Sequence, residues 1–515
     1  MKNLGLLFLI LCCANILWAQ HPGDNPTDWP DNIDTSDCTT LPPEKSFDIK
    51  MKWQSPDLRP QDMAIHGCST PLVADLDGDG YPEVLGAWTR TNGTDDYTMP
   101  GSYVTPDFIV LDGKTGAFKY RIKTHNFQVH GQPVAIADVD KDGKSEIFIV
   151  GMGKKGNQAV YADKYVYCYD GSKANTGADD YKWKSKEPLD HVYIPMVADL
   201  NNDGMPELVC GGTILNAITG TCILKGEMAE TGMGFGDPHA VNGSWNIAKP
   251  GVLGEAYYLF AVADIDGDKQ LEICAGNTMY KATITNPMGT SGNTFKTVRQ
   301  CTATLPYSDV YDGQTFVLDF DNDGDMDICV LGCRKDHFSS GIFSSGQNHI
   351  CVYVWEGQST DLLGYFALDP HTFSLSIPFA ADINGDGMAE IITNGWVYGW
   401  HWHQNDSRHD MMHVFRYKKG YSSTANNTNA KNIEEIFTRD QAREFSESSG
   451  FTVFDFNQDG KSEIVFRNNK NLYILDGTNL NKLCTPQTCI SGTLAEYPIV
   501  ADVDCDGHAD IIYTD

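Results

Sequence analysis

One fifteen-residue segment recurs eight times along the chain and constrains the fold more than any other feature. It reads PLVADLDGDGYPEVL at residues 71–85 and returns as VAIADVDKDGKSEIF from residue 134, PMVADLNNDGMPELV from 195, FAVADIDGDKQLEIC from 260, TFVLDFDNDGDMDIC from 315, PFAADINGDGMAEII from 378, FTVFDFNQDGKSEIV from 451 and PIVADVDCDGHADII from 498. The first aspartates of the copies are separated by a mean of (502 − 75)/7 = 61 residues. Self-similarity at such a period marks a chain of repeated supersecondary units, each too small to bury its apolar face alone.

Each copy has a short apolar run, the element D-x-[DN]-x-D-G-x-x-[DE] and a second apolar run. Runs of this length, rich in β-branched residues and bounded by Gly, are strands rather than helices. Two strands joined by a carboxylate-rich turn are therefore predicted. Oxygens at positions 1, 3, 5 and 9 converge on one point, Gly at position 6 allows the bend, and hard oxygen donors suit Ca²⁺. The predicted ligands are Asp75, Asp77, Asp79 and Glu83; Asp138, Asp140, Asp142 and Glu146; Asp199, Asn201, Asp203 and Glu207; Asp264, Asp266, Asp268 and Glu272; Asp319, Asp321, Asp323 and Asp327; Asp382, Asn384, Asp386 and Glu390; Asp455, Asn457, Asp459 and Glu463; and Asp502, Asp504, Asp506 and Asp510. Up to eight Ca²⁺ are expected. An EF-hand begins with the same letters but closes on Glu at position 12, where no copy has a carboxylate side chain. Metal-free Asp-Gly hairpin turns are the plainer alternative, most tenable at the fourth loop, where Lys269 replaces the glycine.

The D-x-D-x-D-G-x-x-E loop between two strands, repeated about every sixty residues over residues 47–515, resembles the FG-GAP or VCBS repeat of integrin α-chain propellers and of many secreted bacterial proteins. The resemblance implies an all-β, eight-bladed β-propeller of four-stranded blades, with the Ca²⁺ loop between the first two strands of each; seven blades is the alternative. Aromatic and β-branched stretches at residues 107–122, 164–185 and 471–484 flank Gly-bearing turns and supply the third and fourth strands. Little sequence follows the last loop. Residues 47–55, which resemble the outer-strand stretch at 181–188, are expected to complete the eighth blade as its outer strand, and either that blade is three-stranded or further domains follow residue 515, the second being the favoured expectation.

The chain carries 69 Asp and Glu against 38 Lys and Arg, a formal charge of −31. Such a balance repels phosphate, so nucleic acid is excluded as a partner. The loop positions account for 29 of the 69 acidic residues, so much of the excess belongs to the repeat. Residues 1–19 read as a signal peptide and 20–46 as an N-terminal extension, which places the protein outside the cytoplasm, secreted or at the cell surface. No later stretch is long and apolar enough to span a bilayer. Thirteen of the fifteen cysteines lie beyond residue 19. Cys484 and Cys489 bracket a turn and are the best candidates for a local bridge; buried apolar thiols are expected at strand positions such as Cys274, Cys329 and Cys351.

Segments entering each first strand belong at the face opposite the loops. They hold His66, His130, His191, Tyr193, Tyr257, Tyr311, Glu496 and Tyr497, a candidate polar ligand site. Trp88 and Trp245 lie in or beside long insertions and offer flat rings suited to sugars or to protein. Packing at a channel rim would use the same residues. There is no nucleophile elbow, H-E-x-x-H or phosphate loop. A binding or adhesion module for polysaccharide or a cell-surface protein is expected, ahead of a secreted polysaccharide lyase or glycosidase and of a structural front domain.

Overall fold

The computed structural model describes residues 47–56, 70–89, 106–125, 134–155, 158–189, 194–228, 259–306, 312–332, 350–368, 372–373, 378–396, 411–424, 428–440, 451–468, 470–489 and 497–514. Among the described residues there is no helix, and every strand pairing is antiparallel. The first sheet runs β1 (Leu72–Ala74), β2 (Glu83–Thr89), β3 (Pro106–Asp112) and β4 (Phe118–Lys123). The second has β5 (Val134–Ala137), β6 (Glu146–Lys155), β7 (Gln158–Asp170) and β8 (Trp183–Lys184), and the third β9 (Met196–Ala198), β10 (Glu207–Cys210), β11 (Thr213–Asn216) and β12 (Cys222–Lys225). The fourth has β13 (Ala261–Ala263), β14 (Glu272–Ala275), β15 (Thr278–Thr283) and β16 (Thr294–Gln300).

A fifth set, β17 (Gly313–Leu318), β18 (Asp327–Gly332), β19 (Ile350–Glu356) and β20 (Leu362–Leu368), is followed by the short β21 (Thr372–Phe373). The sixth set is β22 (Phe379–Ala381), β23 (Glu390–Trp396), β24 (Met411–Ser423) and β25 (Thr428–Asp440). The seventh sheet has β26 (Phe451–Phe454), β27 (Glu463–Arg467), β28 (Asn471–Asp476) and β29 (Gln487–Thr488), and β30 (Ile499–Ala501) pairs with β31 (Asp510–Ile512). The fifth and sixth sets share one nine-stranded sheet. The β24–β25 hairpin extends past a register shift to Ser423–Ala430, and the start of β25 pairs with the outer strand β20.

Second strands are buried on both faces because their side chains alternate between two neighbours. On β6, Ile147 and Ile149 join the apolar cluster with the first sheet, while Phe148 and Val150 join the cluster with the third and fourth. Shared clusters likewise link the fourth and fifth sets, the fifth and sixth, the sixth and seventh, and the seventh sheet with β30–β31. The series closes on itself. Val503 and Ile512 pack with Val84, Ile109, Leu111 and Trp53, and the Tyr497 N–H donates to Thr70 Oγ1 at 3.2 Å. Four-stranded antiparallel sheets in sequence order around such a series are consistent with a β-propeller-like fold.

Two expectations need correction. Residues 47–56 form no strand; Lys52 and Trp53 dock them through side chains, with Trp53 Nε1 donating to Gly113 O at 2.7 Å. Cys484 and Cys489 are free thiols. Leu483 N–H bonds to Ile474 O, whereas Cys489 N–H bonds to Lys470 O. Four residues along β28 is about 13 Å, and a disulfide needs Cα atoms within about 7 Å. Cys274, Cys329 and Cys351 are fully buried on strands.

Candidate metal centres

All eight acidic loops share one backbone shape. Position 4 has a positive φ in each, at Gly78, Lys141, Asn202, Gly267, Asn322, Gly385, Gln458 and Cys505, and so does position 6, including Lys269 at +71°. Non-glycine residues resist this region, so local bonds must hold it. The position 1 carboxylate accepts the N–H of position 6 at 2.7–3.0 Å in all eight. The position 5 carboxylate accepts the N–H of position 7 at 2.8–3.0 Å. The position 9 acid, at the start of each second strand, reaches back to the N–H of position 2 at 2.8–3.3 Å. Position 1 spends both oxygens on backbone N–H groups in every loop but the fourth, whereas the position 5 and position 9 acids each give one to the backbone bonds just named.

Consecutive loops touch. The N–H groups of Ser145, Leu271 and Ser462 donate to Leu76 O, Leu200 O and Ile383 O of the preceding loops. A Cβ on Gly78 would lie 2.1 Å from Gly143 O, so glycine is required there for close approach as well as for its φ of +78°.

Carboxylate oxygens of Asp75, Asp77 and Glu83, of Asp138, Asp140 and Glu146, of Asp264, Asp266 and Glu272, and of Asp319, Asp321 and Asp327 lie within 4.8 Å of one another in each group, close enough to hold a metal ion. A further group joins Asp321 and Asp323 to Glu356 at the end of β19. The loops differ in what faces those oxygens. Lys119 Nζ lies 2.9 Å from Asp77 and 2.5 Å from Glu83, and Lys182 Nζ 2.9 Å from Asp140 and 2.6 Å from Glu146. Lys281 Nζ is 2.7 Å from both Asp268 and Glu272, and Lys52 Nζ 2.7 Å from Asp504 and 3.0 Å from Asp510. Among the described residues no such lysine reaches the other four loops. There, burial pushes Glu207, Glu390 and Glu463 up to about 7 and Asp327 up to about 8, with neighbouring aspartates adding to the rise.

The residues present fit a hard divalent cation. Glu207 Oε1, Asp321 Oδ1 and Asp327 Oδ1, and in the lysine-facing loops Asp77 Oδ1, Asp264 Oδ1 and Asp504 Oδ1, are buried acceptors with no hydrogen-bond partner, although a buried carboxylate oxygen ordinarily finds one. All are hard oxygens, the donor type Ca²⁺ takes.

Lys52, Lys119, Lys182, Lys281 and Glu356 were absent from the sequence-predicted set. A Lys followed by Trp or Tyr in the outer-strand stretches, as in KW at 52–53 and 182–183 and KY at 119–120, is the signal that points to three of them. Of the predicted rim residues, Tyr497 is buried and Trp88 lies on β2. His66, His130, His191, Tyr193, Tyr257, Tyr311, Glu496 and Trp245 lie outside the described residues.

Fold and loops together define an all-β, propeller-like repeat protein whose sheets each open with an acidic loop. A model of the FG-GAP-like repeat matches residues 319–393 and 455–513, and the chain carries repeats of that family. No curated protein matches it in sequence. Among solved structures, the biofilm matrix protein Bap1 of V. cholerae is similar at a TM-score of 0.50 and 14% identity, over 90% of this chain and 87% of that one. A rhamnogalacturonan lyase of Bacillus licheniformis reaches 0.46 at 15% identity, over 86% of this chain and 69% of that one. At 14% identity the likeness to Bap1 is one of fold.

Proposed function

We propose that the protein is an exported, calcium-stabilised eight-bladed β-propeller that serves as a binding or adhesion module for polysaccharide or a cell-surface protein. The observation that carries this reading is the acidic loop repeated eight times in one backbone shape, with buried carboxylate oxygens left to converge where a cation fits. Calcium is abundant outside cells, so a fold that draws on it suits an exported chain, in keeping with the signal-like residues 1–19. The fold shared with a protein named for the biofilm matrix supports an extracellular, matrix-associated role. No helix among the described residues is long and apolar enough to cross a membrane.

Purified protein on a glycan array and in pull-downs from cell-surface extracts, with calcium and with chelator, tests the reading. Calcium-dependent capture of a glycan class or surface protein is expected. Binding to neither sinks it, and release of unsaturated products from uronic-acid polymers would replace it with a lyase.

A further inference from the structure

Three of the four loop-facing lysines occupy one structural position. The β3–β4 register passes from Tyr120 to Phe118 and leaves Lys119 as the bulge residue. In the third to sixth sets the same shift falls on Ile223, Val298, Leu363 and Ile436. Lys119 precedes Tyr120, Lys182 precedes Trp183 and Lys52 precedes Trp53. Each aromatic side chain donates to a carbonyl in the next sheet: Tyr120 Oη to Gly171 O at 2.8 Å, Trp183 Nε1 to Ala217 O at 3.2 Å and Trp53 Nε1 to Gly113 O at 2.7 Å. In the fourth sheet, where Val298 takes the bulge, Lys281 comes instead from β15, directly across from Glu272.

Loop sequence matches this arrangement. All four loops reached by lysine have aspartate at position 3, namely Asp77, Asp140, Asp266 and Asp504. Three of the other four have an amide there, Asn201, Asn384 and Asn457, and the Asn384 Nδ2 donates to Glu390 Oε1 at 2.7 Å. Four carboxylates with one ammonium and three carboxylates with one amide carry the same charge of −3. The loop at 319–327 has, among the described residues, no lysine against it and no amide at position 3. Its Asp327, 1% exposed, turns an unpartnered Oδ1 toward Asp319 and Asp321, and Glu356 adds a further carboxylate.

We propose that the protein has two kinds of acidic loop: lysine ammonium groups close the loops at 75–83, 138–146, 264–272 and 502–510 without metal, and divalent cations bind only at 199–207, 319–327, 382–390 and 455–463. A Ca²⁺ ion needs the position 3 and position 9 oxygens at 2.3–2.6 Å, and an ammonium already lies against those oxygens in the first group. Both cations do not fit one site. The loop at 319–327 offers the most carboxylates and holds its ion most tightly.

This inference rests on the calcium reading, and a binding count separates the two. Decalcified full-length protein in equilibrium dialysis against ⁴⁵Ca²⁺ is expected to hold four ions per chain. Eight ions overturns the two-class proposal and keeps the calcium reading; none overturns both. Replacing Lys119 and Lys182 with Met frees two loops, so the count is expected to rise from four to six; a folded double variant that still holds four overturns the role given to lysine. Should that variant be unstable, folding in calcium but not in chelator supports the proposal, and failure in both overturns it. E356Q is expected to weaken the tightest of the four ions, and an unchanged affinity profile overturns the rank given to that loop.

Discussion

Raising the pH of the metal-free protein from 5 to 9 is expected to destabilise it steeply, and Asp327 shows why. It is buried at the start of β18, with one oxygen bonded to Phe320 N–H at 2.9 Å and Glu356, Asp319 and Asp321 adding negative potential. Burial first, then those charges, raise it from 3.8 to about 8, a shift of about four units or about 5–6 kcal/mol at 1.36 kcal/mol per unit. The sign follows from the direction. A carboxyl raised in the folded state binds its proton more tightly there than in the unfolded chain, so its stabilisation is complete below pH 4 and is lost as pH rises through about 8. Glu207, Glu390 and Glu463, raised to about 7, each add about 3 kcal/mol in the same sense between about pH 4.5 and 7. Natural domains are stable by only about 5–15 kcal/mol, so these carboxyls together are enough to unfold the protein unless protons or cations neutralise them. Thermal unfolding in chelator at pH 5, 7 and 9 should show a falling melting temperature, and calcium should flatten the trend. D327N should reduce the metal-free slope by about 1.4 kcal/mol per pH unit between pH 4 and 8. A melting temperature that is level or rising from pH 5 to 9 in chelator, or a slope unchanged in D327N, refutes the reasoning.

Three further outcomes are expected. Trp53→Ala removes the ring that packs between the last loop and the first sheet, and should cost about 3–5 kcal/mol, read as the urea midpoint; an unchanged midpoint would show that residues 47–56 do not tie the ends together. Gly78→Ala places a Cβ against Gly143 O at a positive φ and should cost about 1–3 kcal/mol by the same measurement, whereas a neutral effect would mean that the first two loops do not touch. Cys505, exposed in the last loop, should be the first of the described cysteines to react with iodoacetamide in the native protein. Its rate should be slow at pH 7, because partial burial and the carboxylates of Asp502, Asp504 and Asp75 push the thiol up; equal labelling of buried Cys168 sinks this.

The loops and the strands that flank them were legible in the sequence because their determinants are local: alternating or fully apolar runs around a fixed spacing of acids. Lys119 and Lys182 were not, since each stands 36 residues after the acid it meets, in hairpins whose register depends on a bulge. Position 4 of the loops was equally hidden, as Lys141, Asn202, Gln458 and Cys505 share a backbone conformation but no side-chain chemistry. The joint between β20 and β25 depends on a hairpin outgrowing its own sheet, which no periodicity encodes. Closure was half legible: the likeness of KWQS at 52–55 to KWKS at 182–185 gave the partner, but not that side chains alone would make the contact.

The contact of Lys52 with Asp510 spans 458 positions, which sets a timetable for the molecule as it is made. Synthesis delivers Lys52 among the earliest parts of the ring and its acceptor Asp510 among the last. At about 5–20 residues per second the wait is on the order of half a minute or more. During that interval the seven strand sets before β30 can assemble against their neighbours, but the seam stays open and the first sheet keeps one apolar face uncovered. A chain of this design therefore meets its greatest exposure to wrong partners before residues 503–512 arrive, and that segment acts as a clasp that converts a growing arc into a closed series.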